Sequence, residues 1–204
     1  MPIFLKVIIS VSLSIISVLL FACLKDKSRK GCMAAMLLST AGDLFMVNIF
    51  SLENINTYIG AGFFIAAHIV YAGVFTNNCK KRGYKYFSPG FFTGAAVMLF
   101  SVIALSAAEF GFANEKKPVM FCLILIYIAA IGYNLCSQFS YAFSKKGISL
   151  ILPFAITVFY ITDIFIFLNM LDINNDLRQY VWYFYPFAQL AIILFNSDLK
   201  KEKT

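Results

Sequence analysis

Apolar residues run almost unbroken over roughly 3–24, 31–49, 57–75, 87–105, 118–143, 149–171 and 180–195, with polar clusters between the runs. Most are close to the ~20 residues with which an α-helix crosses a hydrocarbon core about 30 Å thick. The pattern predicts an all-α polytopic membrane bundle of seven transmembrane helices. No Gly/Ser-rich or Pro-rich linker divides the runs, so residues 1–204 are expected to form a single integral membrane domain. The first run ends on Leu20-Phe21-Ala22-Cys23, a poor lipoprotein cleavage box. Its length and the basic residues directly behind it fit a retained first helix better than a signal peptide.

Composition agrees with the pattern. Hydrophobic residues make up 61% and charged residues 13% of the 204, and the mean hydropathy is +0.80, whereas soluble domains carry roughly 25% charge. The net charge of +7 is not a nucleic-acid signature, because the basic residues sit in short clusters between apolar runs, where the positive-inside effect puts them. The clusters at 25–30, 80–85, 145–146 and 200–203 hold thirteen of the seventeen. That alternation predicts an outside N-terminus and a cytoplasmic C-terminus. The five cysteines, Cys23, Cys32, Cys79, Cys122 and Cys136, have no C-x-x-C spacing and read as small buried apolar residues, not as a disulfide framework or zinc knuckle.

Smaller features refine the bundle. Gly90-x-x-x-Gly94 and Gly62-x-x-x-Ala66 offer small-residue faces for close helix contact. Pro153 and Pro186 are candidates to kink the sixth and seventh helices. Tyr180, Trp182, Tyr183 and Tyr185 cluster as an interfacial aromatic belt would.

Of the ten acidic residues only Asp43 and Asp163 lie inside long apolar runs, and the single histidine, His68, lies inside another. A charge at the bilayer centre costs about 3 kcal/mol on insertion scales, so such residues face the bundle interior and mark functional sites. Helical spacing puts Ser39, Asp43 and Met46 on one face of the second helix, and Gly60, Phe64, His68 and Tyr71 on one face of the third. Asn134, Gln138 and Tyr141 share a face of the fifth, Tyr160 and Asp163 of the sixth, and Tyr185 and Gln189 of the seventh. At 1.5 Å per residue Asp43 lies about 9 Å and Asp163 about 12 Å below the outer ends of their helices, with His68 nearer the midplane. Asn134, Gln138 and Tyr141 read as interhelical hydrogen-bonding residues ahead of chemical ones.

Taken together, Ser39-Thr40-Ala41-Gly42-Asp43, His68-Ile69-Val70-Tyr71, Tyr160-Ile161-Thr162-Asp163 and Tyr185-Pro186-Phe187-Ala188-Gln189 resemble the motifs of the YhhN-like lysoplasmalogenase family. The resemblance extends over residues 31–195 and implies an integral membrane hydrolase that cleaves the vinyl-ether bond of lysoplasmalogens to a fatty aldehyde and a glycerophospho-base. This chain has one helix fewer than the family's usual eight and no Lys-Pro opening the helix before the Gly-Asp helix. The implied chemistry is general acid–base catalysis, for which two carboxylates and an imidazole suffice without cofactor or metal. One of Asp43 and Asp163 would be the acid and the other would position water. His68 would shuttle or orient, and Tyr71, Tyr160, Tyr185, Gln189, Asn134 and Gln138 would contact the lysophospholipid. Two rival readings use the same residues: a zinc-dependent lipid hydrolase, although zinc sites favour several His or Cys ligands, and a proton-coupled transporter, in which intramembrane acids also serve.

Overall fold

The computed structural model describes residues 1–51, 54–85, 87–100, 118–144, 151–170 and 178–195. Among them are seven helices and no strand: α1 Ile3–Leu24, α2 Lys27–Met46, α3 Asn54–Lys81, α4 Pro89–Phe100, α5 Pro118–Phe143, α6 Ile151–Met170 and α7 Arg178–Phe195. Segments Ile3–Leu24, Ile55–Lys81 and Cys122–Phe143 are long and apolar enough to cross a membrane, and Pro89–Phe100, Ile151–Ile166 and Tyr180–Phe195 are shorter apolar helices. The protein is an all-α membrane bundle. The loop charges at 53, 109–117, 145–146, 172–176 and 200–203 lie outside the described residues, as do the predicted helix ends at 101–105, 149–150 and 171.

Two helices outrun their apolar stretches. α2 begins at Lys27 instead of Gly31, because Asp26 caps it by accepting from Ser28 N at 3.0 Å and Ser28 Oγ at 2.6 Å. Arg29 and Lys30 therefore belong to the helix, and the turn from α1 is only Lys25-Asp26, with Lys25 left-handed at φ 48°. α3 continues beyond Phe75 through Thr76-Asn77-Asn78 to Lys80 and Lys81, cations that complement the negative end of the helix dipole. Hydrophobicity marks where a helix must be buried, whereas capping and dipole chemistry mark where it ends.

α1, α2, α3, α5, α6 and α7 pack as successive neighbours in chain order, and α7 closes back onto α1 and α2. The main apolar core lies inside this ring, with Phe64, Tyr71 and Phe75 of α3, Tyr127 and Ile131 of α5, Ile156 and Phe159 of α6 and Tyr185 and Ile192 of α7. Large apolar side chains such as Phe4, Ile8 and Ile15 of α1 and Phe154 of α6 are exposed on its outside, as lipid contact requires.

Close approach depends on glycine at two crossings. A Cβ on Gly42 would meet the Phe64 ring at 3.0 Å and Gly60 O at 3.2 Å, so α2 and α3 touch just at Asp43. Gly90 and Gly94 of α4 lie against α5, where a Cβ would come 2.6 Å from Phe139 O and 2.9 Å from Cys136 Cα respectively. The Gly90-x-x-x-Gly94 face is thus a helix contact. A Cβ on Gly62 would meet nothing within 4 Å among the described residues, so no close contact of the Gly62/Ala66 face is seen there.

Other small features differ from expectation. Pro153 is the third described residue of α6. Pro186 is inside α7 and removes one backbone donor there. The aromatic cluster divides, with Tyr180 and Tyr183 exposed and Trp182 and Tyr185 buried. Cys32, Cys79 and Cys136 are buried, but Cys23 and Cys122 are exposed.

Candidate functional site

The ring places the polar stripes of α2, α3, α5, α6 and α7 on its inner side. Asp43 (4% exposed), His68 (0%) and Asp163 (1%) are all buried there. So are Tyr71, Asn134, Gln138, Tyr160, Tyr185 and Gln189. Tyr141 diverges from its helical neighbours, packing on Phe75 at 5.3 Å between ring centroids and under the Arg82 guanidinium at 5.0 Å.

These residues form two hydrogen-bonded groups. In the first, Asp43 Oδ2 accepts from Ser10 Oγ at 2.6 Å and from the Tyr185 hydroxyl at 3.1 Å. Gln189 Nε2 donates to the Tyr185 hydroxyl at 3.2 Å, and the Tyr71 hydroxyl donates to Gln189 Oε1 at 3.1 Å. One chain of hydrogen bonds thus joins α1, α2, α7 and α3. A side branch fixes α1 on α2: Thr40 Oγ1 donates to Ser10 O at 3.0 Å and shares a hydrogen bond with Ser14 Oγ at 2.7 Å.

The second group is centred on His68. Its Nε2 faces Asp163 Oδ2 at 3.3 Å, and its Nδ1 is 3.0 Å from Asn134 Nδ2. Gln138 Nε2 donates to Asn134 Oδ1 at 3.0 Å. With the Asn134 amide so oriented, Nδ1 accepts, and in the neutral imidazole the ring proton is on Nε2, toward Asp163. Among the described residues neither Asp163 oxygen receives a well-directed hydrogen bond, although the Tyr127 hydroxyl lies within its reach.

Aromatic rings separate the two groups. Phe159 packs on His68 at 5.1 Å and on Tyr185 at 5.3 Å, while Tyr127 stands edge-on to His68 at 5.4 Å. Phe64 bridges Tyr127 and Tyr185, at 6.5 Å from each. Two carboxylates from different helices therefore share one apolar, water-poor interior, each with its own polar retinue. Asp163 is paired with His68 and not with Asp43. Among the described residues no three His, Cys, Asp or Glu side chains converge as a metal cage would.

Sequence reasoning missed Ser10, Thr40 and Tyr127. Ser10, Ser14 and Ser17 lie at i, i+4 and i+7, a buried polar stripe along an otherwise apolar α1. Tyr127 is seven residues before Asn134 and so on the same face of α5. Both signals were in the spacing, but hydroxyls in apolar runs draw little notice beside carboxylates.

A curated protein of Vibrio cholerae serotype O1 (strain ATCC 39315 / El Tor Inaba N16961), described as ATP synthase protein I, is 28% identical over 107 residues, 52% of this chain and 80% of that protein. No solved structure matches the chain. The sequence profile of the YhhN family matches residues 1–195, so the match includes α1, which supplies Ser10, as well as the four motifs. By that match, this membrane-embedded helical protein belongs to the YhhN family.

Proposed function

We propose that the protein is a lysoplasmalogenase: it hydrolyses the vinyl-ether bond of a lysoplasmalogen to a fatty aldehyde and a glycerophospho-base. The observation that carries this reading is the pair of buried carboxylates in one aromatic-walled interior, one against an imidazole at 3.3 Å and the other held by two hydroxyls. Family membership supports it.

Vinyl-ether hydrolysis needs a proton delivered to the outer alkene carbon, which leaves an oxocarbenium ion at the carbon bonded to oxygen. Water adds to that carbon and loses a proton, and the hemiacetal collapses to aldehyde and alcohol. His68 and Asp163 form the proton-transfer couple, since the imidazole proton on Nε2 faces the carboxylate. Asp43, oriented by Ser10 and Tyr185, holds and deprotonates the attacking water. Asn134 and Gln138 fix the imidazole's orientation instead of contacting substrate. Tyr71, Tyr160 and Gln189 contact the glycerol portion, and the apolar interior takes the alkenyl chain. The lipid arrives from the bilayer, so no soluble partner is required.

The test is incubation of purified protein with a lysoplasmalogen and, separately, a saturated lysophospholipid, with mass detection of free aldehyde and of fatty acid. Aldehyde from the alkenyl substrate alone is the expected result. Fatty acid from the saturated lipid, or no product from either, would refute the assignment.

A further inference from the structure

A buried cation far from the carboxylates plays no part in that reaction. Arg29, in the first turn of α2, is 2% exposed, and neither terminal nitrogen of its guanidinium has a hydrogen-bond partner among the described residues. Asp26, the acid nearest in sequence, is engaged elsewhere, since its oxygens accept from Ser28 N and Ser28 Oγ. Arg82 lies over the Tyr141 ring and Lys6 over the Trp182 ring, whereas among the described residues Arg29 has only a through-space attraction to Asp26, whose oxygens are already engaged by Ser28. Arginine does not shed its proton in proteins, so neutralisation cannot relieve this burial. A buried guanidinium whose fork is hydrogen-bonded to no anion is costly, and Asp26, turned to Ser28, leaves that fork unfilled.

The surroundings indicate which anion. Residues 25–30 and 80–85 together carry eight basic residues and one acid. The two segments face each other, as the interaction of Lys81 with Asp26 and the packing of Gly31 beneath Val74 require. Both lie at helix ends, the depth of lipid headgroups, where basic clusters attract phosphate. The two unpartnered nitrogens are the fork that arginine offers to a phosphate bidentately.

We propose that Arg29, with Lys81 as an outer attracting charge, is a phosphate-binding site at the basic end of the bundle, filled by a phospholipid headgroup or by free phosphate. It is distinct from the carboxylate site: Arg29 and Asp43 are fourteen residues apart on one helix, about 21 Å. That is well beyond the few bonds between the ether and the phosphate of a lysolipid.

The experiment measures thermal unfolding of the full-length protein, delipidated in maltoside detergent and phosphate-free buffer, as phosphatidylglycerol or inorganic phosphate is added. Wild-type protein is expected to gain several degrees at saturation, because a ligand bound only by the folded state raises the midpoint. R29Q is expected to lose that gain, and R29K, which keeps the charge but not the fork, to retain only a small part. A response to phosphatidylglycerol alone identifies a lipid headgroup as the occupant, and a response to both shows that phosphate suffices. The proposal is overturned if wild type responds to neither, or if R29Q responds as wild type does. Should R29Q fail to fold, an undiminished response in R29K overturns it equally.

Discussion

The two carboxylates of the interior are held in opposite ways. Asp43 is wired: two donors converge on one of its oxygens, and the chain behind them runs through Tyr185 and Gln189 to Tyr71. Asp163 is held more loosely, with His68 at 3.3 Å and the Tyr127 hydroxyl within reach but no well-directed hydrogen bond on either oxygen among the described residues. A carboxylate oxygen held by two donors is fixed in position, whereas a carboxylate without well-directed donors can exchange a proton or accept a new partner. On the proposed mechanism this contrast separates two residues that look alike in sequence, with Asp43 holding and deprotonating the water and Asp163 exchanging a proton with His68.

Substitutions can break or sharpen this contrast. The largest effect is expected from D163N, which keeps shape but removes the proton-transfer partner of His68; aldehyde release should fall about a thousandfold, within the range of general acid–base contributions. H68Q should fall nearly as far, and the double variant D163N/H68Q hardly further, because the two act as one unit. If the double variant loses the product of the two single losses, the residues act separately. A smaller effect is expected from Y185F, which removes a donor to Asp43 and the acceptor of Gln189. Turnover should drop about thirtyfold, consistent with a hydrogen bond to a charged group, while a further Q189A change adds little. The smallest is S10A, about tenfold by the same reasoning. An S10A variant indistinguishable from wild type in turnover and in unfolding midpoint would show that α1 is not part of the site.

The large features were legible because they rest on strong signals. Seven apolar runs correspond to seven helices among the described residues, and the described bounds of α1 and α5 match the predicted ones, because these two runs are apolar nearly to their ends. Asp43, His68 and Asp163 stood out because buried ionisable groups are expensive. Pairing was not legible. Depth places Asp43 and Asp163 at similar levels but leaves rotation about each helix axis undetermined, and it is rotation that turns Asp163 to His68 and Asp43 to Tyr185. Asn134 and Gln138 were visible as a stripe, yet their attachment to His68 needed the α3–α5 crossing. Ser10 was hidden because it lies in a helix that reads as purely apolar, and Arg29 because it reads as part of a basic loop until the Asp26 cap draws it into α2.

The account stands on protonation of the vinyl carbon inside the bundle, and isotope labelling tests this directly. Lysoplasmalogen is turned over by purified protein in deuterated water, with D163N as the blank, and the aldehyde is trapped at once and weighed. One solvent deuterium at the carbon next to the carbonyl, above the blank, is the predicted result. Aldehyde without that deuterium, or no aldehyde above the blank, would contradict acid–base cleavage by Asp163, His68 and Asp43.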